Sequence, residues 1–225
     1  MPMLRLPILA SLVACASLLA RPAAARPATQ HSGDPLVTVE HQDPVAPLAI
    51  GPADAPVTVT LYLLLSGSNG DVATRVLRDA RAFSTNHPKR VRIDVRVVPV
   101  RPDLLFVAAA ARAAHAQGLL DGFIAGLRPG NRGVNEEALL GVMKAIGGDP
   151  DKLRQAWQHH RFDAAIRADL ADYRAQFATS ATAAAVIGEF KLDMNSGFQE
   201  SRIWPLVTAT YERIRDWQSR GIAAT

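Results

Sequence analysis

Two hydrophobic runs, with a helix-like segment between them, mark the first half of the sequence. Residues 57–65 (VTVTLYLLL) are nearly all apolar or β-branched, which predicts a strand buried on both faces of a sheet. Between residues 72 and 86 the apolar positions recur at helical spacing. Residues 91–100 (VRIDVRVVPV) alternate polar and apolar positions, as a second strand does. The order strand, helix, strand predicts a βαβ unit.

Helical patterns fill the sequence from residue 102 to residue 177. Strand character then returns at residues 184–190 (AAVIGEF), and residues 205–220 close the chain as an amphipathic helix. The sequence therefore predicts an α/β fold in which a helical subdomain is inserted between strands. The helices of the insertion are predicted at residues 108–127 (as one helix or two), 135–146, 149–157 and 162–177.

The first 25 residues have the order of an export signal. Arg5 provides a positive charge, residues 6–20 are apolar, and three alanines at 23–25 form a small-residue cleavage site. The apolar run is too short to span a bilayer comfortably, so no membrane span is predicted. Cys15 ends a Leu-Val-Ala-Cys sequence that looks like a bacterial lipobox, which leaves a lipid anchor at Cys15 open as the alternative. We expect a periplasmic or secreted protein, or else a membrane-anchored lipoprotein.

The rest of the 225-residue chain is long enough for one elaborated domain. Residues 26–50 are rich in Pro, Ala, His and Asp, which predicts a linker or N-terminal arm. The following segments are predicted to be a βαβ half (51–101), an inserted helical subdomain (102–178) and a C-terminal half that completes the sheet (179–225).

Cysteine content and charge narrow the chemistry. Cys15 is the only cysteine, and either type of signal processing removes or caps it, so we expect a mature chain with neither thiol nor disulfide. Loss of residues 1–25 removes two arginines and no acid, which lowers the formal charge from +4 to +2. Basic residues alternate with acids, as in Arg78-Asp79, so no nucleic-acid partner is predicted.

Several segments, in order, resemble one protein family. GPADAPVTVTLYLL is similar to the opening strand of DsbA-like proteins, periplasmic thiol oxidoreductases whose thioredoxin fold carries an inserted helical domain. VRIDVRVVPVRPD is similar to the second strand and its exit. AAAARAAHAQGLLDGFIAGL and NEEALLGVMKAIGGDPDKLRQAW are similar to the inserted helices. The resemblance covers about residues 51–190 and implies a thioredoxin-like fold with an inserted helical subdomain.

The positions that carry the chemistry of this family are changed. By register, Gly67 and Gly70 replace the Cys-x-x-Cys that opens the first helix, where the helix N-terminus would lower the pKa of a thiol. Thr182 stands in place of the cis-proline of the family. Leu61 stands where many members bury an acid, and leucine is the more stable choice once the thiols are lost. The resemblance thus implies a degenerate member with no catalytic residues. Cysteines placed at Gly67 and Gly70 are expected to form a reducible pair but a poor enzyme.

Polar residues beside these glycines leave a second interpretation open. Kappa-class glutathione transferases, which are DsbA-like, hold a thiolate with a serine at the helix start, and Ser66 and Ser68 lie next to that position. An enzyme of non-thiol chemistry that uses Ser66, Ser68 or Asn69 is therefore the alternative. We favour helix capping by Ser68, Asn69 or Asp71.

The remaining signals favour binding over catalysis. His159 and His160 are adjacent at the exposed end of a predicted helix, and adjacent helical residues point about 100° apart, so no metal site is predicted, and no cofactor is expected. The leading hypothesis is a binding, accessory or chaperone-like module that uses the cleft between the two subdomains. Its predicted partner is an exported protein or peptide. A third hypothesis retains only the family label of thiol–disulfide oxidoreductase, by homology.

Overall fold

From residue 57 onward, the strands and helices follow one another in the order that the sequence predicts, with a block of consecutive helices between the third and fourth strands. A computed structural model of the chain describes residues 48–67, 69–127, 134–177, 183–194 and 197–221. The strands are β1 (Leu48–Ile50), β2 (Val57–Leu65), β3 (Val91–Pro99), β4 (Ala183–Ile187) and β5 (Phe190–Asp193). The helices are α1 (Gly70–Asn86), α2 (Leu105–Ala116), α3 (Leu120–Gly126), α4 (Glu136–Ala145), α5 (Pro150–Gln158), α6 (Asp163–Gln176) and α7 (Glu200–Ser219).

The five strands form one mixed sheet in the order β1-β3-β2-β4-β5. β2 and β3 are parallel along their whole length, from Val57 opposite Val91 to Leu65 opposite Pro99. α1 connects them, so the predicted βαβ unit is present. β4 is antiparallel to β2, and β5 is antiparallel to β4. The predicted α/β fold, with helices inserted between its strands, is confirmed.

The predicted N-terminal arm ends in a strand. The sequence predicts a linker over residues 26–50, but the structure places the last three in β1, antiparallel to β3. Leu48 lies opposite Val95, and Ile50 lies opposite Ile93. The edge of β3 explains the difference, because its backbone N–H and C=O groups need partners that a neighbouring extended segment can supply.

Helices cover the two faces of the sheet unequally. One face of β2 is completely buried, through Val57, Val59, Leu61, Leu63 and Leu65. On the other face, α6 covers Tyr62 and Leu64, whereas Thr58 is exposed. Burial of β2 on both faces is therefore found over its second half, where helices lie on both sides.

The last helix begins earlier than predicted. α7 starts at Glu200, and Pro205 lies inside it, although the sequence places the helix start at residue 205. Proline has no N–H to donate to the carbonyl of Ser201, so α7 lacks one intrahelical hydrogen bond in its second turn. No helix in the described part of the chain is long and apolar enough to cross a bilayer.

Candidate functional site

The loop between β2 and α1 and the first residue of that helix hold Gly67 and Gly70, the two positions that the resemblance assigns to the family's thiol pair. Gly67 and Gly70 are both buried. Gly67 has a φ of +83°, and a Cβ built on it would lie 2.4 Å from Cγ2 of Val134. A Cβ on Gly70 would lie 2.0 Å from the carbonyl oxygen of Ile124 and 2.5 Å from that of Leu127. The end of α3 and the residue before the α4 cap therefore fill this corner, which we call the closed corner.

Among the described residues, a backbone carbonyl and not the side chain of the N-cap residue binds the first N–H of α1. Gly70 N–H donates to the carbonyl oxygen of Leu127 at 3.0 Å. Asn69 is the N-cap residue, but its side chain makes no capping bond. Its amide nitrogen donates to the carbonyl oxygen of Leu64 at 2.6 Å, and its Oδ1 accepts from the N–H of Ser66 at 3.0 Å. The prediction that Asn69 caps α1 is wrong, because its side chain turns back and stabilises the loop.

Of the other predicted site residues, two lie in the described part of the chain and two lie outside it. Leu61 is completely buried, with Val95 and Ala185 as its neighbours on β3 and β4. Ser66 is half-buried and already has an interaction partner. Ser68 and Thr182 lie outside the described residues, so the interpretations of both stay predictions.

A row of charged side chains, not predicted from the sequence, crosses from the helical insertion to the sheet. Arg112 on α2 pairs with Asp169 on α6, and Arg96 on β3 pairs with Asp172 on α6. Nη1 of Arg96 also lies 3.8 Å from Oδ1 of Asp169, so the charges alternate in sign along the row. The hydroxyl of Tyr62 donates to Oδ2 of Asp172 at 2.5 Å.

Local geometry explains how these groups meet. Tyr62 and Arg96 are register partners on parallel strands, so both point to the face of the sheet that α6 covers. Asp169 and Asp172 are three residues apart on α6, which places them on one side of the helix. Nothing in the sequence pairs Arg96 with an acid 76 positions away, so only the packing of α6 on β3 shows the row.

Partial burial shifts the pKa values of Tyr62 and of two charged groups in the row. Burial, reinforced by the hydrogen bond to Asp172, raises the pKa of the Tyr62 phenol above its ordinary range. Burial also lowers the pKa of Arg112 and raises that of Asp169, and each of these two groups opposes the effect of burial on the other. The side chains of Arg112 and Asp169 are 20% and 18% exposed. Arg112 and Asp169, the inner pair of the row, are therefore held together by mutual attraction in a poorly hydrated environment.

The row forms one wall of a cavity of about 590 Å³. The cavity, which we call the edge cavity, lies where β1 and β3 meet α2, α3 and α6. His115 and Asp94 also line it, and Oδ1 of Asp94 accepts a 2.6 Å hydrogen bond from Arg92. A volume of about 300–1,000 Å³ is usual for small-molecule sites. The apolar lining consists of Leu48, Val95, Val97, Ala111, Leu120, Ala165 and Ala168.

Metal-ligating side chains are scattered over the part of the chain that the structure describes. No group of three or more His, Cys, Asp or Glu residues comes together there to hold an ion. His160 faces Asp163, with 3.1 Å between Nδ1 and Oδ2, at an exposed helix start.

Raising the pH should expose the effect of burial on Tyr62. The pKa of the folded-state phenol is above its unfolded value of about 10, so above that pH the unfolded chain loses this proton first. The free energy of unfolding should then fall as the pH rises above about 10. Urea unfolding at stepped pH would measure this, and the Tyr62→Phe variant should lose stability less steeply. Equal slopes for the two proteins would contradict the assignment.

Comparison with solved structures agrees with this architecture, whereas two comparisons of the sequence found no match. No protein-family model matches the sequence, and no curated protein matches it. The fold is similar to that of a thioredoxin-like oxidoreductase from Silicibacter pomeroyi DSS-3, with a TM-score of 0.58 and 22% identity over 76% of this chain and 94% of that one. DsbA from Chlamydia trachomatis gives a TM-score of 0.55 and 14% identity over 72% and 89%.

A third similar structure is a periplasmic thioredoxin-like protein from Salmonella enterica serovar Typhimurium. Its TM-score is 0.51, with 16% identity over 77% of this chain and 94% of that one. At such identities the likeness concerns the fold. The predicted thioredoxin-like fold with a DsbA-like helical insertion is confirmed.

Proposed function

We propose that this chain, which has the DsbA-like thioredoxin fold, is a binding or accessory module that performs no thiol–disulfide chemistry. Thiol–disulfide exchange begins with attack by a thiolate on a disulfide sulfur. Cys15 is the only cysteine, and it lies in the predicted export signal. A mature chain without Cys15 would have neither an attacking nor a resolving thiol.

The closed corner is the observation that carries this proposal. A reactive cysteine needs partial exposure and a helix N-terminus whose N–H groups stabilise the thiolate. Here Gly67 and Gly70 are buried, and the first N–H of α1 is taken by the carbonyl oxygen of Leu127. The loss of the cysteines is thus accompanied by packing that fills the space their side chains would need.

The same geometry weighs against the alternative of non-thiol catalysis in this loop. Both polar atoms of the Asn69 side chain are used inside the loop, on Leu64 and Ser66. An amide engaged in this way does not face a substrate. Binding is therefore better supported by the open edge cavity than by the loop at residues 66–70.

We propose that the protein works in the periplasm, where its partner is an exported protein or peptide. The order of the N-terminal 25 residues and the periplasmic character of the similar Salmonella protein support this location. The partner would contact the side of the molecule where the inserted helices meet the edge of the sheet. This side is the cleft between the two subdomains that the sequence analysis proposes as the binding region.

Protein purified from a strain without thiol oxidoreductases should neither reduce insulin nor oxidise a reduced peptide. Turnover should equal that of buffer alone, because no thiolate is available. A DsbA protein serves as the positive control, and the Cys15→Ser variant should give the same null rate. Turnover that rises with protein concentration and disappears in Cys15→Ser would show that a retained thiol is active and would overturn the proposal.

A further inference from the structure

The edge cavity has the features of a ligand site. We propose that it binds a zwitterionic small molecule with an apolar body, of the size of an amino acid or a dipeptide. This inference rests on the proposed function only in that the chain acts by binding, and its test does not depend on the absence of thiol chemistry.

Small side chains keep the edge cavity open. Ala111 on α2 and Ala165 and Ala168 on α6 line it, and longer side chains at these positions would fill it. The volume of about 590 Å³ exceeds what one or two waters need and suits a ligand with several apolar carbons. Val95, Val97 and Leu120 offer that apolar part a surface to pack on.

Arg96 and Asp172, the outer pair of the charged row, have unused hydrogen-bonding capacity. Among the described residues, Arg96 donates hydrogen bonds through Nη1 alone, which leaves the rest of its guanidinium available. Asp172 accepts from Arg96 and Tyr62 through Oδ2, and within the same part of the chain its Oδ1 accepts no hydrogen bond. The two side chains are 36% and 37% exposed. A donor for an anion therefore lies beside an acceptor for a cation.

Alternation of charge selects a ligand that carries both signs. A lone anion drawn to Arg96 would also meet Asp169 and Asp172, and a lone cation drawn to Asp172 would meet Arg96. A zwitterion can place its carboxylate on Arg96 and its ammonium group on Oδ1 of Asp172, so each charge meets an opposite one. Neither protein charge is then left without compensation when water is displaced.

Titration calorimetry with leucyl-leucine as the probe tests the ligand class. The purified protein should bind the zwitterionic dipeptide saturably. N-acetyl-leucyl-leucine, which is an anion, and leucyl-leucine amide, which is a cation, should each bind about tenfold more weakly or worse, because each lacks one of the two charges.

A pair of matched variants locates the site. Ala168 and Ala164 are both exposed on α6, but only Ala168 lines the edge cavity. Ala168→Phe should therefore weaken dipeptide binding about tenfold or more by filling the cavity, and Ala164→Phe should leave it unchanged. The double variant Arg96→Gln/Asp172→Asn removes both charges at once and should bind the three probes with similar affinity.

Three results would overturn the inference. They are no saturable binding of leucyl-leucine by the wild-type protein, equal effects of Ala168→Phe and Ala164→Phe, or equally tight binding of a blocked dipeptide. Any of them, together with the absence of thiol turnover, would leave the proposed lack of redox chemistry intact. Thiol turnover with specific dipeptide binding would instead contradict the proposed function and keep the cavity assignment.

Discussion

Gly70→Ala should destabilise the protein by about 3 kcal/mol or more, even though replacing glycine by alanine inside a helix usually stabilises it. The added methyl group would lie 2.0 Å and 2.5 Å from the carbonyl oxygens of Ile124 and Leu127. These are backbone atoms, so α3 must move away from α1 to relieve the clash. That movement would also lengthen the hydrogen bond from Gly70 N–H to Leu127.

Gly141→Ala is the matched control. Gly141 lies within α4, is exposed, and a Cβ built on it meets nothing within 4 Å. This variant should gain about 0.5–1 kcal/mol, the usual difference in helix propensity. Urea unfolding of the wild type and both variants measures the two shifts. A Gly70→Ala protein as stable as wild type would show that α3 does not pack on the closed corner.

The same crowding changes what engineered cysteines would do. A side chain at Gly67 would lie against Val134 and would adopt a φ of +83°, which strains any residue that has a Cβ. A side chain at Gly70 would meet the α3 backbone. We therefore expect cysteines at these two positions to destabilise the fold, and their formation of a reducible pair but a poor enzyme stays a prediction.

Leu61→Asp should cost about 4 kcal/mol or more at neutral pH and is expected to leave much of the protein unfolded. Leu61 is completely buried in β2, between Val95 on β3 and Ala185 on β4. A carboxylate at this position would lose its hydration in an apolar layer of the sheet. We therefore expect this core not to tolerate an acid at the position that the resemblance assigns to the buried acid of many thioredoxin-fold oxidoreductases.

Leu61→Met controls for the change of shape and should cost less than about 1.5 kcal/mol. The pH dependence separates charge from packing. Burial raises the pKa of a new carboxyl in the folded state, so the Leu61→Asp protein should regain stability as the pH falls toward about 4 and the group becomes neutral. Wild-type stability of Leu61→Asp at pH 7, measured by urea unfolding, would indicate a compensating cation and contradict the prediction.

Local patterns were sufficient to predict the order of the elements. The apolar run at residues 57–65 and the alternation at 91–100 each report the environment of a single strand, and the helical spacing in α1 reports its buried side. These signals depend on neighbours close in sequence. The end of the predicted arm is an exception, because Leu48–Ile50 form a strand only where the edge of β3 is available.

The functional positions also divide into features that are visible in the sequence and features that only the packing of distant segments creates. The sequence by itself determined that the chain has one cysteine, and that glycines stand at the positions which the resemblance assigns to the family's thiol pair. Only the tertiary structure decided that this corner is closed, because the atoms that fill it come from α3 and Val134, far away in sequence. The charged row likewise depends on α6 crossing β3, which brings Arg96 to Asp172. Contacts between distant segments depend on how whole elements pack, and no local pattern of residue types encodes that packing.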